Sequence, residues 1–213
     1  MTKKKQGGQL SVNQFKNLLN ASYDNKADNI NGYVKDNSLS TNTSKVYYNP
    51  ETKHTVVAHR GTVGITDWAN NAVYGLLGEK YYKKTPRYKQ AKAVQENAVN
   101  KYGKDNTTTI GHSQGGLQAE LLGDKGRETI TLNKATRPKS NRKNNNQFDV
   151  RASNDIVSGL NPFQTNNGKE ITIRSKIFDP INAHKINELD KLNGDMIIGN
   201  GVIVRPVNYL SGI

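Results

Sequence analysis

The sequence predicts an α/β protein built on a mainly parallel central sheet flanked by helices. Three observations carry that expectation. Short β-branched segments alternate with helical ones through the middle of the chain. One of those strands, Thr107–Ile110, runs straight into Gly111-His112-Ser113-Gln114-Gly115-Gly116 and then into an apolar helical stretch. The 213 residues suit one core, and no Pro-, Ser- or Gly-rich linker divides them.

The elements follow in order. Residues 1–8 read as a flexible basic tail, and residues 9–213 as a single domain. Leu10 to Tyr23 carries apolar residues at helical spacing. Asp24 to Ser44 is polar and reads as loop with a short turn of helix. Val46–Tyr48 and His54–His59 form an expected hairpin around Asn49-Pro50-Glu51-Thr52. Gln90 to Tyr102 is a helix that Gly103 stops, and Leu117–Leu122 continues as helix after the glycine-rich turn. Thr129–Leu132, Phe148–Ala152 and Glu170–Ile177 read as strands. His184–Leu192 reads as helical, and Met196–Val207 as a closing hairpin around Gly199-Asn200-Gly201.

Composition bounds the function. Hydrophobic residues make up 33%, which implies a thin core. The net charge of +13, from 31 Lys+Arg against 18 Asp+Glu, suits either an anionic membrane surface or nucleic acid. The loop 133–147, with Arg137, Lys139, Arg142 and Lys143, would be the phosphate-contacting stretch for nucleic acid. No recognised nucleic-acid-binding motif accompanies it. The absence of cysteine rules out disulfides and thiolate metal sites. The basic start has no apolar h-region behind it, and no segment approaches membrane-spanning length. The expected location is the cytoplasm or the inside of a larger particle.

The chemistry centres on Gly111-His112-Ser113-Gln114-Gly115, a G-x-S-x-G pentapeptide. A nucleophilic serine at a strand-to-helix turn needs a strained backbone that pushes its hydroxyl outward. Glycines two residues to either side remove the side chains that would clash there. The helix that follows aims its N-terminal amides at the site. An acyl-transfer site also needs donors for the oxyanion. The backbone N–H of Gln114 is one. The strand Thr55–His59, ending in Arg60-Gly61-Thr62, offers a second.

Together, His59-Arg60-Gly61-Thr62, Asp67-Trp68 and Gly111-His112-Ser113-Gln114-Gly115-Gly116 resemble the fungal-type (class 3) lipase family, over residues 45–190. That resemblance implies an α/β-hydrolase fold and hydrolysis of carboxylic esters of lipids, with no metal and no cofactor. It implies Thr62 and Gln114 at the oxyanion hole. The family's chain order is Ser, then Asp, then His. Val150–Val157 matches its strand ending in Asp-x-Val, which makes Asp155 the acid; Asp149 and Asp179 are weaker candidates. Of the four histidines, His54 and His59 precede the serine and His112 lies within the turn, so His184 is the base.

This sequence departs from the family at Gln114, where leucine is usual, and at His59, where an aromatic is usual. Its intervals of 42 and 29 residues between the three candidates are compact. Tyr74–Tyr88 occupies the place of the family's lid; its mixture of tyrosine and lysine suits an anionic lipid surface. A lipase or esterase leads, with a phospholipase or lysophospholipase on anionic membranes as the alternative. A non-catalytic basic protein that binds nucleic acid or joins a larger assembly is the reading from a different class.

Overall fold

The computed structural model describes residues 8–62, 79–135, 146–159, 169–176, 179–199 and 202–204. Five sequence features therefore lie wholly or partly outside the described residues. They are the basic tail up to residue 7, the Asp67-Trp68 motif, residues 74–78 of the lid-like segment, the core of the basic loop at 136–145, and residues 200–201 and 205–207 of the closing hairpin.

The chain opens with β1 (Leu10–Ser11) and helix α1 (Val12–Tyr23). A capping box starts α1: Gln14 N–H donates to Ser11 Oγ, and Ser11 N–H donates to Gln14 Oε1. Two short strands follow, β2 (Asn29–Ile30) and β3 (Tyr33–Lys35), where the sequence reads as loop with a short turn of helix; no helix forms there. Strands this short carry too few residues to show a period of two. The expected hairpin forms from β4 (Ser44–Tyr48) and β5 (Thr55–His59).

Beyond it lie α2 (Glu79–Tyr82), α3 (Pro86–Tyr102), β6 (Thr107–His112), α4 (Gln114–Leu122), β7 (Glu128–Leu132) and β8 (Gln147–Ala152). Helix α3 starts four residues before the sequence-based expectation. Thr85 caps it by accepting from Tyr88 N–H, and Pro86 fills the first helical position. The remainder is α5 (Ile156–Gly159), β9 (Lys169–Ile173), α6 (Pro180–Ala183), a 3-10 stretch at Ile186–Lys191, and the hairpin β10 (Ile197–Gly199) with β11 (Val202–Val204). The helix expected over 184–192 is thus a 3-10 stretch at Ile186–Lys191, and His184 lies between it and α6.

The main sheet runs in sequence order from β2 to β9. Pairings from β2 to β5 are antiparallel, and the four from β5 to β9 are parallel. β1, β10 and β11 form a separate three-stranded sheet. Alternate side chains of β5 face opposite layers. Val56 and Ala58 pack with Phe15, Leu18 and Leu19 of α1, whereas Val57 packs with Val94 and Ala98 of α3. The result is helix, sheet, helix, with the carboxyl ends of β5 to β8 opening onto one edge. No described helix is long and apolar enough to cross a membrane.

Candidate active site

Ser113 joins β6 to α4 with φ +57° and ψ −125°. That region is disfavoured for a residue with a Cβ, so the turn holds strain on the order of 1–3 kcal/mol. Its surroundings impose it. Ser113 N–H donates to Leu132 O at 3.1 Å, and Ser113 O accepts from Ala135 N–H at 2.9 Å. The glycines are required by packing. A Cβ on Gly111 would strike the backbone of Gly115, and one on Gly115 would strike the carbonyl of His59. The pentapeptide spacing therefore lets β5, β6 and α4 meet at backbone contact. The leading N–H groups of α4, beginning with Gln114, have no carbonyl one turn back to bond.

Asp155 and His184 come together, 29 residues apart in sequence: His184 Nδ1 lies 2.6 Å from Asp155 Oδ1. Asp155 follows β8 and heads α5, where it accepts from Ser158 N–H (2.8 Å), Ser158 Oγ–H (2.5 Å) and Val157 N–H (3.3 Å). Burial alone would raise its pKa. His184 and Ser158 outweigh burial and hold the carboxyl below its ordinary range. A local cap and a partner for His184 are thus one carboxylate. No hydrogen bond joins Ser113 to His184 among the described residues. The connection runs through the neighbouring His112, whose ring centroid lies 4.8 Å from that of His184.

His112 is the residue the sequence alone sets aside. Its Nε2 lies 2.7 Å from the carbonyl of His184, and its Nδ1 lies 2.7 Å from Tyr23 Oη. Tyr23 Oη also accepts from Gly61 N–H at 2.7 Å. A carbonyl can only accept, so Nε2 carries the proton, and Tyr23 donates to the bare Nδ1. One directed chain therefore runs from Gly61 through Tyr23 and His112 to the backbone of His184. Burial, then the neighbouring His184, pushes His112 down to about 3, and burial pushes Tyr23 up to about 12. Both are neutral near neutral pH.

The Arg60-Gly61-Thr62 turn lies against Ser113: a Cβ on Gly61 would sit 2.9 Å from Ser113 Cβ. Tyr23 holds the amide of Gly61. From the opposite layer, Arg87 Nη2 donates to the carbonyls of Arg60 (2.5 Å) and Gly61 (3.1 Å). Thr62 Oγ1 donates to Gln114 Oε1 at 2.9 Å. The glutamine that departs from the family pattern thus ties the two expected oxyanion residues together.

Asn133 was not singled out by sequence either. It is fully buried with φ +45°, a conformation asparagine tolerates better than most residues. Its Nδ2 donates to Ala183 O at 2.8 Å, and its Oδ1 accepts from Ala152 N–H at 2.8 Å. Those contacts brace the segments that lead to His184 and to Asp155. The weaker acid candidates are employed elsewhere. Asp149 is buried against Lys134 (2.5 Å) and Thr131 (2.6 Å). Asp179 caps α6 by accepting from Asn182 N–H.

A strained serine between strand and helix, at the carboxyl edge of a mostly parallel sheet, defines the α/β-hydrolase class. Residues 14–165, more than half of the chain, match a phospholipase-like family model, the Tle-like phospholipase domain. The chain belongs to that family, and so to lipase-like hydrolases of lipid esters. Its structure is similar to a triacylglycerol lipase from Penicillium expansum, with TM-score 0.53 and 15% identity over 91% of this chain and 93% of the other. That likeness extends the resemblance to class 3 lipases from motifs to the fold. It is also similar to a mutant of MDLA from Penicillium cyclopium (TM-score 0.48, 18% identity, 90% and 86% covered). A further similar structure is the Lip2 lipase from Yarrowia lipolytica (TM-score 0.45, 13% identity, 72% and 71% covered). No curated protein sequence matches the chain.

Proposed function

We propose that the chain is a serine hydrolase that cleaves an acyl ester of a glycerophospholipid, with Ser113 as nucleophile, His184 as base and Asp155 as acid. The observation that carries this reading is the 2.6 Å pairing of His184 with Asp155, on the same sheet edge as the strained Ser113. Family membership supports the phospholipid class over a neutral acylglycerol.

Ser113 Oγ attacks the acyl carbon while His184 takes its proton. The carbonyl electrons move to oxygen, where the amides of Gln114 and Thr62 receive the negative charge. As the intermediate collapses, the ester C–O bond breaks and His184 protonates the departing alcohol, a lysophospholipid. Water then attacks the acyl-enzyme with His184 again as base, which releases the fatty acid and restores Ser113. Asp155 holds the imidazole by Nδ1 and stabilises its charged form. In an unliganded site the serine–histidine bond is commonly loose and tightens on substrate.

The test is hydrolysis of phosphatidylglycerol and of a p-nitrophenyl ester by wild type, Ser113→Ala and His184→Ala. Wild type should turn over both substrates, and each variant should lose about 10³-fold or more in kcat. A fluorophosphonate should label wild type and not Ser113→Ala. Equal rates in all three proteins would reject the triad, and salt-sensitive retention on DNA without turnover would favour the nucleic-acid reading.

A further inference from the structure

Two enclosed cations, one fully buried and one partly so, are treated in opposite ways. Lys134 is enclosed beneath α4, yet two carboxylates meet its ammonium, Glu120 at 2.6 Å and Asp149 at 2.5 Å. Burial works against its charge, and the two carboxylates outweigh burial. Arg87 is also largely enclosed, but no described carboxylate meets it. Its side-chain bonds go to the carbonyls of Arg60 and Gly61. Besides burial, the influences on it are two neutral tyrosines and the like charge of Arg60. The Nε atoms of Arg60 and Arg87 are both buried without an acceptor. Among the described residues neither guanidinium has a counter-ion or full hydrogen bonding, which is costly for an enclosed cation, so the ligand that fits them is an anion.

The position of the pair says which anion. Arg60 belongs to the turn whose Gly61 abuts Ser113, and Arg87 is bonded to two carbonyls of that turn. In a glycerophospholipid, the scissile ester and the phosphate are joined through one three-carbon glycerol unit. An ester placed at Ser113 therefore carries its phosphate to this rim. Guanidinium groups suit phosphate because their planar forks offer paired donors. We propose that Arg60 and Arg87 form the subsite for the phosphate of the lipid whose acyl ester is held at Ser113. This rests on the hydrolase reading of Ser113 and adds to it the recognition of the headgroup side.

Two measurements test the subsite, one of them independent of turnover. In the Ser113→Ala protein, sn-glycerol 3-phosphate should bind, and Arg60→Gln or Arg87→Gln should weaken binding tenfold or more. Arg60→Lys should restore part of it. In otherwise wild-type protein, Arg60→Gln should lower the ratio of kcat/KM for phosphatidylglycerol to that for a monoacylglycerol of the same acyl chain by tenfold or more. An unchanged ratio, or glycerol 3-phosphate binding indifferent to both arginines, overturns the subsite. Inorganic phosphate that binds the pair while the ratio stays unchanged assigns it to free phosphate and overturns the lipid role. Wild type that hydrolyses neither ester refutes the hydrolase reading, and the Ser113→Ala titration still decides the subsite.

Discussion

The same pair of side chains is built twice, once at each end of the β5–β6 ladder, with different consequences. At the carboxyl ends, Tyr23 donates to Nδ1 of His112, whose Nε2 donates to the backbone of His184. At the amino ends, roughly 20 Å away along the strands, Tyr33 Oη lies 2.7 Å from Nδ1 of His54. His54 Nε2 lies 2.8 Å from Thr108 Oγ1, which donates onward to Glu128. The tautomer is the same in both. What differs is the far end of each chain. His54 ends on side chains of β6 and β7 within the sheet. His112 ends on the loop that presents His184, and Tyr23 at its other side holds Gly61 of the Arg60-Gly61-Thr62 turn. One cluster ties strands together; the other sets two loops against each other across Ser113.

The comparison breaks most sharply with one substitution at each pole. Tyr23→Phe removes the acceptor for Gly61 N–H and the donor to His112, so both loops lose their mutual reference. We expect kcat to fall about 10- to 100-fold, less than for loss of a direct oxyanion donor, with KM changing little. Tyr33→Phe leaves a buried imidazole nitrogen unpaired. It should destabilise the protein by about 1–3 kcal/mol and leave kcat unaltered. Chemical denaturation and steady-state kinetics on the two variants separate these outcomes. A Tyr23→Phe enzyme with full kcat would show that the relay does not position the site.

Acid should sharpen the comparison through stability. Burial drives His54 and His59 down to about 4 and His112 to about 3, from an ordinary value of 6.5. Between those values the unfolded chain holds protons that the folded chain refuses. Stability is therefore complete above about 6.5 and falls as pH drops through the window toward 4. Each such group contributes up to about 1.4 kcal/mol per pH unit there. Thermal melts from pH 7.5 to 4.5 should show Tm falling with pH, and His54→Gln should flatten the curve. A flat wild-type curve would contradict the buried neutral histidines.

What was legible in the sequence divides by range. The Ser113 turn could be read because its glycines lie within two residues of it and the clashes they avoid are local. The approach of His184 to Asp155 was foreseeable because chain order is fixed for this fold and only four histidines exist. The supporting residues left no such mark. Tyr23 meets Gly61 and His112 across 38 and 89 residues, and Asn133 meets Ala183 across 50. Tyr23 looks like one more apolar position on the buried stripe of α1, and Asn133 like the first residue of a polar loop. Arg87 was hidden in a lysine-rich segment whose charges resemble a solvated surface. Pattern records which face is buried; it does not record which polar atom crosses between layers.

The smallest expected effect lies at Gln114, where the sequence departs from the class 3 lipase pattern it resembles and the structure supplies a reason. Its Oε1 takes the hydroxyl hydrogen of Thr62, so that hydroxyl is engaged before any oxyanion forms. In the proposed mechanism two donors remain without it, the amides of Thr62 and Gln114, and neither depends on the glutamine side chain. Gln114→Leu should release the Thr62 hydroxyl and keep both amides. The gain of a third donor and the loss of the tether oppose each other, so kcat should move by less than about tenfold, or 1.4 kcal/mol. Thr62→Val in the Gln114→Leu background decides between them. A further loss of about 10²-fold means the freed hydroxyl serves the oxyanion; no loss means the amides suffice and the side-chain bond is a tether alone.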